Sequence, residues 1–221
     1  MRTSAYANRM VPLARRTFLA AMFALTGLAA TPAAEAAASP SEQYISETVE
    51  KGLAILNDKT LNREQRRDKF QAFLMSLADT SAISQYTLGQ YRRGAAPADI
   101  AAFDAAYKDY ALAVYQTYFD KFSGQSLKVT GSYAPNPGES VVKTVMIDPH
   151  PKAGAKPMRV NFRVTQSGGK FSVIDISVEG VWLRQTQRDD FTGYLGQHGG
   201  DIKALIGVLK NKTVQERTHA K

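Results

Sequence analysis

The chain has 221 residues, no cysteine and a formal net charge of +8. Without cysteine it can form neither a disulfide nor a thiolate metal site, so packing alone must stabilise the fold. With 44% hydrophobic residues, it is long enough for one domain with a sizeable core.

The first 36 residues have the pattern of a cleavable export signal. Four arginines precede or flank the start of an uncharged, largely apolar run from Phe18 to Ala30, and Ala34-Glu35-Ala36 has the small-x-small pattern that signal peptidases cut after. The apolar run is too short for a membrane-spanning helix, which needs about 20 residues. We therefore expect residues 1–36 to be removed, with Ala37 or Ser39 as the mature start.

Removal of the signal changes the charge and the domain assignment. It subtracts four arginines and one glutamate, which lowers the net charge from +8 to +5. The sequence Arg15-Arg16-Thr17-Phe18-Leu19 also resembles the twin-arginine signal, so export in the folded or the unfolded state is left open. We assign a single domain to residues 37–210 and a flexible tail to residues 211–221.

The first half of the mature chain is predicted to be helical, because its apolar residues recur every three or four positions. The pattern predicts four helices, which begin at Ser41, after Asn62, at Asp79 or Ser81, and after Pro97. The second helix carries an apolar stripe and the fourth an unusually aromatic one. These stripes consist of Phe70, Phe73, Leu74 and Leu77 in the second helix, and of Ile100, Phe103, Tyr107, Tyr110, Val114 and Tyr118 in the fourth.

The second half alternates as strands do. Four strands are predicted over residues 127–133, 141–147, 158–164 and 171–178, and the turns between them favour an antiparallel meander. Helices follow over residues 185–197 and 201–210. The sequence thus predicts an α+β fold: an N-terminal helical bundle packed on a curved four-stranded antiparallel sheet, cystatin-like or cone-like, with C-terminal helices closing a pocket.

Strand alternation predicts which side chains face the helices. Val160, Phe162 and Val164 point to one face of the third strand, opposite Arg159 and Arg163. In the fourth strand we expect the apolar trio to oppose Asp175 and its alternating neighbours. The trio is Ile174, Ile176 and Val178, and the neighbours are Phe171, Val173 and Ser177.

Few residues suggest catalysis. The three histidines, His150, His198 and His219, lie in a loop, before a glycine pair and in the tail, and no metal-ligand spacing, phosphate-binding glycine loop or nucleophile elbow is present. We expect neither enzyme activity nor a metal or cofactor. A small-molecule isomerase in a cone-like fold is the enzyme alternative, since Asp175 among apolar residues suits a carboxyl with raised pKa. The basic residues are spread over several elements, so nucleic acid is not expected as a partner.

Two blocks of sequence carry a resemblance to a known family. The first is Leu88-Gly89-Gln90-Tyr91-Arg92-Arg93-Gly94-Ala95-Ala96-Pro97 before the aromatic helix, and the second is Asp175-Ile176-Ser177-Val178-Glu179-Gly180-Val181-Trp182-Leu183 with Arg188 and Phe191. In order and separation they resemble the MlaC family of periplasmic phospholipid-binding proteins, also known as toluene-tolerance auxiliary proteins. The resemblance covers essentially the whole mature chain. Trp182 departs from the small residue usual in the family.

The resemblance implies a monomeric periplasmic lipid carrier of the pathway that maintains outer-membrane lipid asymmetry. Its ligand would be phospholipid, and its partners would be an outer-membrane lipoprotein complex and an inner-membrane complex of an MCE-domain protein with an ABC transporter. A related carrier of hopanoid or another bulky lipid is the near alternative, which Trp182 leaves open.

A carrier needs an apolar cavity, and the predicted faces supply candidate lining residues. From the helices these are Phe70, Phe73, Leu74, Phe103 and Tyr107; from the sheet they are Val160, Phe162, Val164, Ile174, Ile176 and Val178; and the two motifs add Leu88, Tyr91, Val181 and Trp182.

Overall fold

The computed structural model describes residues 37–120 and 122–219, so the predicted signal lies outside the described residues. The elements follow one another as α1 (Pro40–Leu56), α2 (Arg63–Leu77), α3 (Thr80–Thr87), a 3₁₀ helix (Gly89–Arg92), α4 (Pro97–Asp120), β1 (Ser126–Tyr133), β2 (Glu139–Ile147), β3 (Arg159–Ser167), β4 (Lys170–Val178), β5 (Val181–Trp182), α5 (Leu183–Gln197) and α6 (Ile202–His219). This order confirms the predicted α+β class.

Side-chain caps fix the starts of the first helices. Ser39, rather than the predicted Ser41, caps α1 in a reciprocal arrangement with Glu42. Asn62 caps α2 as predicted. Asp79 caps α3 by accepting a hydrogen bond from the backbone N–H of Ala82 at 2.9 Å. Each cap satisfies backbone donors that a helix would otherwise leave unpaired.

The antiparallel sheet has five strands in the order β1-β2-β3-β4-β5, one more than predicted. The additional strand β5 is only two residues long and pairs with the end of β4. The turn between them is Glu179-Gly180, with φ of 51° and 87°. Both values are positive, as a tight two-residue hairpin turn requires, and Glu179 is the non-glycine residue that adopts this backbone.

The packed interior consists of two clusters instead of a bundle lying wholly on the sheet. The sheet core joins α1 to one sheet face through Ile45, Val142, Val164 and Val173. The helical core lies among α4, α5 and α6 and consists of Leu88, Phe103, Ala106, Tyr107, Phe191, Leu195, Ile202, Leu205, Ile206 and Leu209. Helix α6 therefore packs mainly on α4, whereas α5 directs Phe191 at Phe103 and also packs on α3 and β4.

The last helix is longer than the sequence predicted. It continues nine residues past Lys210, and Thr213 within this extension is buried. Residues 211–219, assigned to a flexible tail, are thus helical. In the described part of the chain, every helix is too short or too polar to cross a membrane.

Candidate functional site

The sheet face that carries Val160, Phe162 and Val164 points towards α1 and α2, and we call it the inner face. Val160 is paired with Val178, and Phe162 with Ile176, so these residues share that face. Ile45 of α1 packs there, together with Val49 and Leu77, which are partly buried. The predicted orientation of the third strand is confirmed.

A β-bulge changes the orientation predicted for β4. Arg163 pairs with Asp175, but the next residue, Val164, pairs with Val173, so Ile174 is the extra residue of a bulge. As a result, Val173 joins the sheet core on the inner face, where the prediction had placed Ile174. The predicted orientation of Val173, and of Phe171 beyond it, was wrong, because one inserted residue reverses the alternation that follows it.

Helix α2 covers the inner face incompletely, and none of its residues is fully buried. Phe70, Phe73 and Leu74 all remain half-buried. A Cβ built on Gly52 of α1 would lie 3.2 Å from Cε1 of Phe73 and 3.5 Å from Cε2 of Phe70, so both rings pack on this glycine. The small residue lets the two helices approach closely.

Half-buried apolar side chains lie on α2, near the end of α4 and on the inner face. The Phe70 ring lies 6.2 Å from that of Phe119 near the end of α4. Phe162, Ile176 and Val178 are likewise half-buried. Six of these half-buried side chains, from α2, α4 and the sheet, are called the apolar lining: Phe70, Phe73, Leu74, Phe119, Phe162 and Ile176. Such side chains expose area that an apolar ligand would remove from water.

Three predicted lining residues belong to the helical core instead, and a fourth packs beside it. Leu88 and Phe103 are fully buried there, and the Tyr107 hydroxyl donates a 2.6 Å hydrogen bond to Oε1 of Gln187. Burial strongly raises the pKa of Tyr107, so its phenol stays protonated. Tyr91 packs beside this core, with its ring against Gly200. The helical period identified an apolar stripe correctly but not the partner that covers it.

Trp182 and Val181 lie at the sheet edge. Trp182 pairs with Ser177, which places its side chain on the face opposite the inner face. There the Arg163 guanidinium lies 4.7 Å from the centre of the indole ring. Val181 pairs with Val178 but is 56% exposed. Trp182 therefore lies on the face opposite the inner face, at the sheet edge.

Asp175 is buried on the outer face near the start of α5. Its Oδ1 accepts backbone hydrogen bonds from Ile176 at 2.8 Å and Arg184 at 2.9 Å. Burial raises the pKa of Asp175, while these hydrogen bonds and the Arg184 charge oppose the increase. Arg184 in turn lies 4.0 Å above the ring of Tyr86. The carboxyl is held by structural partners on the face away from the lining.

Sequence reasoning identified Asp175 but missed Arg184 and Tyr86. The β4–β5 turn brings Arg184 to Asp175, and the packing of α3 on α5 brings Tyr86 to Arg184. Neither contact produces a periodic pattern in the sequence. Of the histidines, His198 stacks on Tyr194 with ring centres 3.9 Å apart, His150 lies in an exposed loop, and the side chain of His219 is outside the described residues. No cluster suited to a metal ion occurs among the described residues.

A groove of about 420 Å³ lies at the hairpin end of the inner face. It is formed by the β1–β2 turn, residues 134–140, together with Val164, Gln166 and Phe171. The ring of Phe171 stacks on Tyr44 of α1 at 5.2 Å. The inner face is thus accessible beside the sheet core as well as along α2. No pattern in the sequence predicts this groove.

These features define a class of α+β protein in which helices only partly cover an apolar sheet face. The chain belongs to the MlaC family, since the family model described as MlaC protein matches residues 46–211. This confirms the assignment that the two motifs predicted. The fold is similar to that of a phospholipid-binding protein from Ralstonia solanacearum solved in complex with a phospholipid. The TM-score is 0.68 at 18% identity, over 80% of this chain and 99% of that one.

Proposed function

We propose that the chain is a periplasmic carrier that binds phospholipid through its acyl chains. The observation that carries the proposal is the apolar lining: α2 has no fully buried residue, yet it faces an apolar sheet. Family membership and the phospholipid in the Ralstonia solanacearum protein support the same ligand class.

The energetics explain why a carrier needs such a lining. A diacyl phospholipid has about 30 chain carbons, and exposing each methylene to water costs about 0.8 kcal/mol, so unassisted transfer costs roughly 25 kcal/mol. Most of this cost is avoided when the chains lie between α2 and the inner face. We place the acyl chains against Phe70, Phe73, Phe162 and Ile176, and expect them to supply most of the affinity.

Phospholipid is preferred over a polycyclic lipid and over an isomerase substrate. The case for a bulky ligand rested on Trp182, whose side chain lies on the outer face beside Arg163. The case for an isomerase rested on Asp175, which already accepts two backbone hydrogen bonds and lies beside Arg184. Neither residue borders the apolar lining.

The carrier would load and unload at two membrane complexes, an outer-membrane lipoprotein complex and an inner-membrane MCE/ABC transporter complex. It would act as a monomer after removal of residues 1–36. N-terminal sequencing of protein recovered from the periplasm should begin at Ala37 or Ser39. A product that keeps residues 1–36 would contradict this export assignment.

Native mass spectrometry of the purified protein tests the ligand. We expect a bound species with the mass of a two-chain phospholipid, and recovery of that lipid after organic extraction. A protein that purifies empty and takes up no phospholipid from vesicles would refute the carrier proposal. A polycyclic lipid in the extract would replace phospholipid as the ligand.

A further inference from the structure

Exposed aliphatic side chains collect at one end of the sheet. Ile147 ends β2, Met158 precedes β3 and Val181 begins β5; their exposed fractions are 44%, 43% and 56%. The backbone N–H of Met146 donates to the carbonyl of Met158 at 2.8 Å, which places Met158 beside the end of β2. Since neighbouring strands are about 4.8 Å apart, the three residues span roughly 14 Å of this end of the sheet. Met158 and Val181 lie on the inner face, opposite Met146 and Val178, whereas Ile147 lies on the outer face.

Basic side chains surround these aliphatic residues. Lys152 and Lys156 are exposed in the loop between β2 and β3, and Lys128 is exposed near the start of β1. The one acidic residue of the β4–β5 turn, Glu179, is already engaged, because its carboxylate accepts hydrogen bonds from the backbone and the guanidinium of Arg159. The loop between β2 and β3 holds a second acidic residue, the exposed Asp148. With Arg159 counted, four cations and two carboxylates lie at this end, which leaves a net charge of +2.

We propose that this end of the sheet, the basic tip formed by Ile147, Lys152, Lys156, Met158 and Val181, docks on an anionic phospholipid bilayer. Single aliphatic side chains surrounded by lysines suit an interface where the chains enter the headgroup region and the ammonium groups meet lipid phosphates. The lysines complement the charge of such a surface. The aliphatic residues stand singly on separate strand ends, as shallow insertion requires.

Docking by the basic tip would assist lipid exchange, an inference that rests on the proposed carrier function. The inner face reaches the same end of the sheet through Val160 and Val178, which pair with each other next to Val181. An acyl chain that leaves the apolar lining along these residues would emerge beside the bilayer. Docking by the basic tip would therefore shorten the path of the chain through water.

Flotation of the mature protein, residues 37–221, with vesicles tests the proposal. One set of vesicles is pure phosphatidylcholine, and the other contains one third phosphatidylglycerol. We expect binding to the anionic set only. Each lysine near an anionic surface raises the partition coefficient of a protein onto vesicles about fivefold. The double variant Lys152→Glu, Lys156→Glu should therefore lower this coefficient by about 25-fold or more. Met158→Ser with Val181→Ser should also weaken binding, with the charge unchanged.

The matched control reverses two lysines elsewhere. Lys210 and Lys212 are exposed on α6, and Lys210→Glu with Lys212→Glu makes the same change in net charge. Unchanged vesicle binding in this variant supports the basic tip. An equal loss of vesicle binding in both double variants overturns the docking proposal. So does a wild-type protein that does not bind anionic vesicles, which is the result expected if the tip binds an acidic protein instead.

Native mass spectrometry of the same samples separates this proposal from the carrier function. The Lys152→Glu, Lys156→Glu variant should retain bound phospholipid, since neither lysine belongs to the apolar lining. If the wild type carries phospholipid but shows no vesicle binding, the docking proposal alone fails. If the wild type carries no phospholipid, the carrier proposal fails, and flotation still decides whether the tip binds the bilayer.

Discussion

The Asp175 carboxylate lies 3.7 Å from Nε of Arg184, and the two side chains are only 4% and 12% exposed. Asp175 belongs to β4 and Arg184 to the first turn of α5, so the pair joins the sheet to the helix that contributes Phe191 and Leu195 to the helical core. The Nε of Arg184 is buried and has no hydrogen-bond partner among the described residues. The contact is thus an ionic one in a poorly hydrated setting.

Replacing Arg184 with methionine should destabilise the protein. The substitution keeps the apolar stem but removes the nearest counter-charge of the buried Asp175 carboxylate and leaves only the weaker effect of Arg163, which costs about 3 kcal/mol in the free energy of unfolding. Burial already raises the pKa of Asp175, and loss of the guanidinium raises it further. The folded state then binds its proton more tightly than the unfolded state does. The loss should therefore be largest at neutral pH and shrink as the pH falls towards 4.

Urea unfolding at pH 7.5 and pH 4 measures this effect. The control is Arg159→Met, which removes an ion pair with Glu179 whose side chains are 67% and 49% exposed. We expect that variant to have nearly the stability of the wild type, because exposed pairs contribute little. A loss in Arg184→Met that is equally large at both pH values would argue against an unpaired carboxylate as its cause.

A charge placed on the inner face should abolish lipid binding. Val160 is 7% exposed on that face and Ile176 is half-buried. A glutamate at either position would have to be desolvated against acyl chains, so Val160→Glu and Ile176→Glu should each remove the phospholipid peak in native mass spectrometry. Circular dichroism establishes that the variants are folded.

The matched control for the inner-face charge is Val145→Glu. Val145 pairs with both Lys128 and Arg159, whose side chains project from the outer face. The new carboxylate would lie between two cations and away from the lining, so lipid binding should be retained. Phospholipid uptake by a folded Val160→Glu, Ile176→Glu double variant would show that the lining is assigned to the wrong sheet face.

Sequence periodicity predicted individual elements better than their partners. The strict alternation of Val160, Phe162 and Val164 with polar residues determined their face, because only one register buries all three. In β4, apolar residues occupy both phases, so the extra residue Ile174 left no mark on the pattern. The two-residue strand β5 is shorter than any periodic signal.

The division into two cores could not be predicted either. The aromatic stripe on α4 requires an apolar partner, but both the inner face and α6 offer one. The structure buries Phe103 and Tyr107 among α5 and α6, and leaves Phe70 and Phe73 half-buried against α1. Long-range packing decides this choice, and local sequence does not encode it.

This division predicts opposite results for two phenylalanine truncations. Phe103 is 0% exposed in the helical core, so Phe103→Ala should cost about 3–5 kcal/mol of unfolding free energy. Phospholipid bound per folded chain should not change. Phe73 is half-buried, so Phe73→Ala should cost less than about 2 kcal/mol and reduce lipid uptake severalfold, because it removes lining area. Urea unfolding and phospholipid uptake from vesicles should be measured for both variants. If Phe103→Ala reduced lipid uptake and Phe73→Ala caused the larger loss of stability, the two-core interpretation would be contradicted.

The contact between α1 and α2 makes Gly52 a sensitive position. A side chain at Gly52 would meet the rings of Phe73 and Phe70, whereas one at Gly207 on α6 would have no atom within 4 Å among the described residues. Gly207→Leu should stabilise the protein by about 0.5–1 kcal/mol through helix propensity alone. Gly52→Leu has the same propensity gain, but it must push α2 outwards, which typically costs about 1–3 kcal/mol. Thermal unfolding should thus rank Gly207→Leu above the wild type and Gly52→Leu below it. Since α2 carries three residues of the apolar lining, Gly52→Leu should also weaken phospholipid retention. If the variant kept both its stability and its lipid, α2 could shift without cost, and its position would not determine lipid binding.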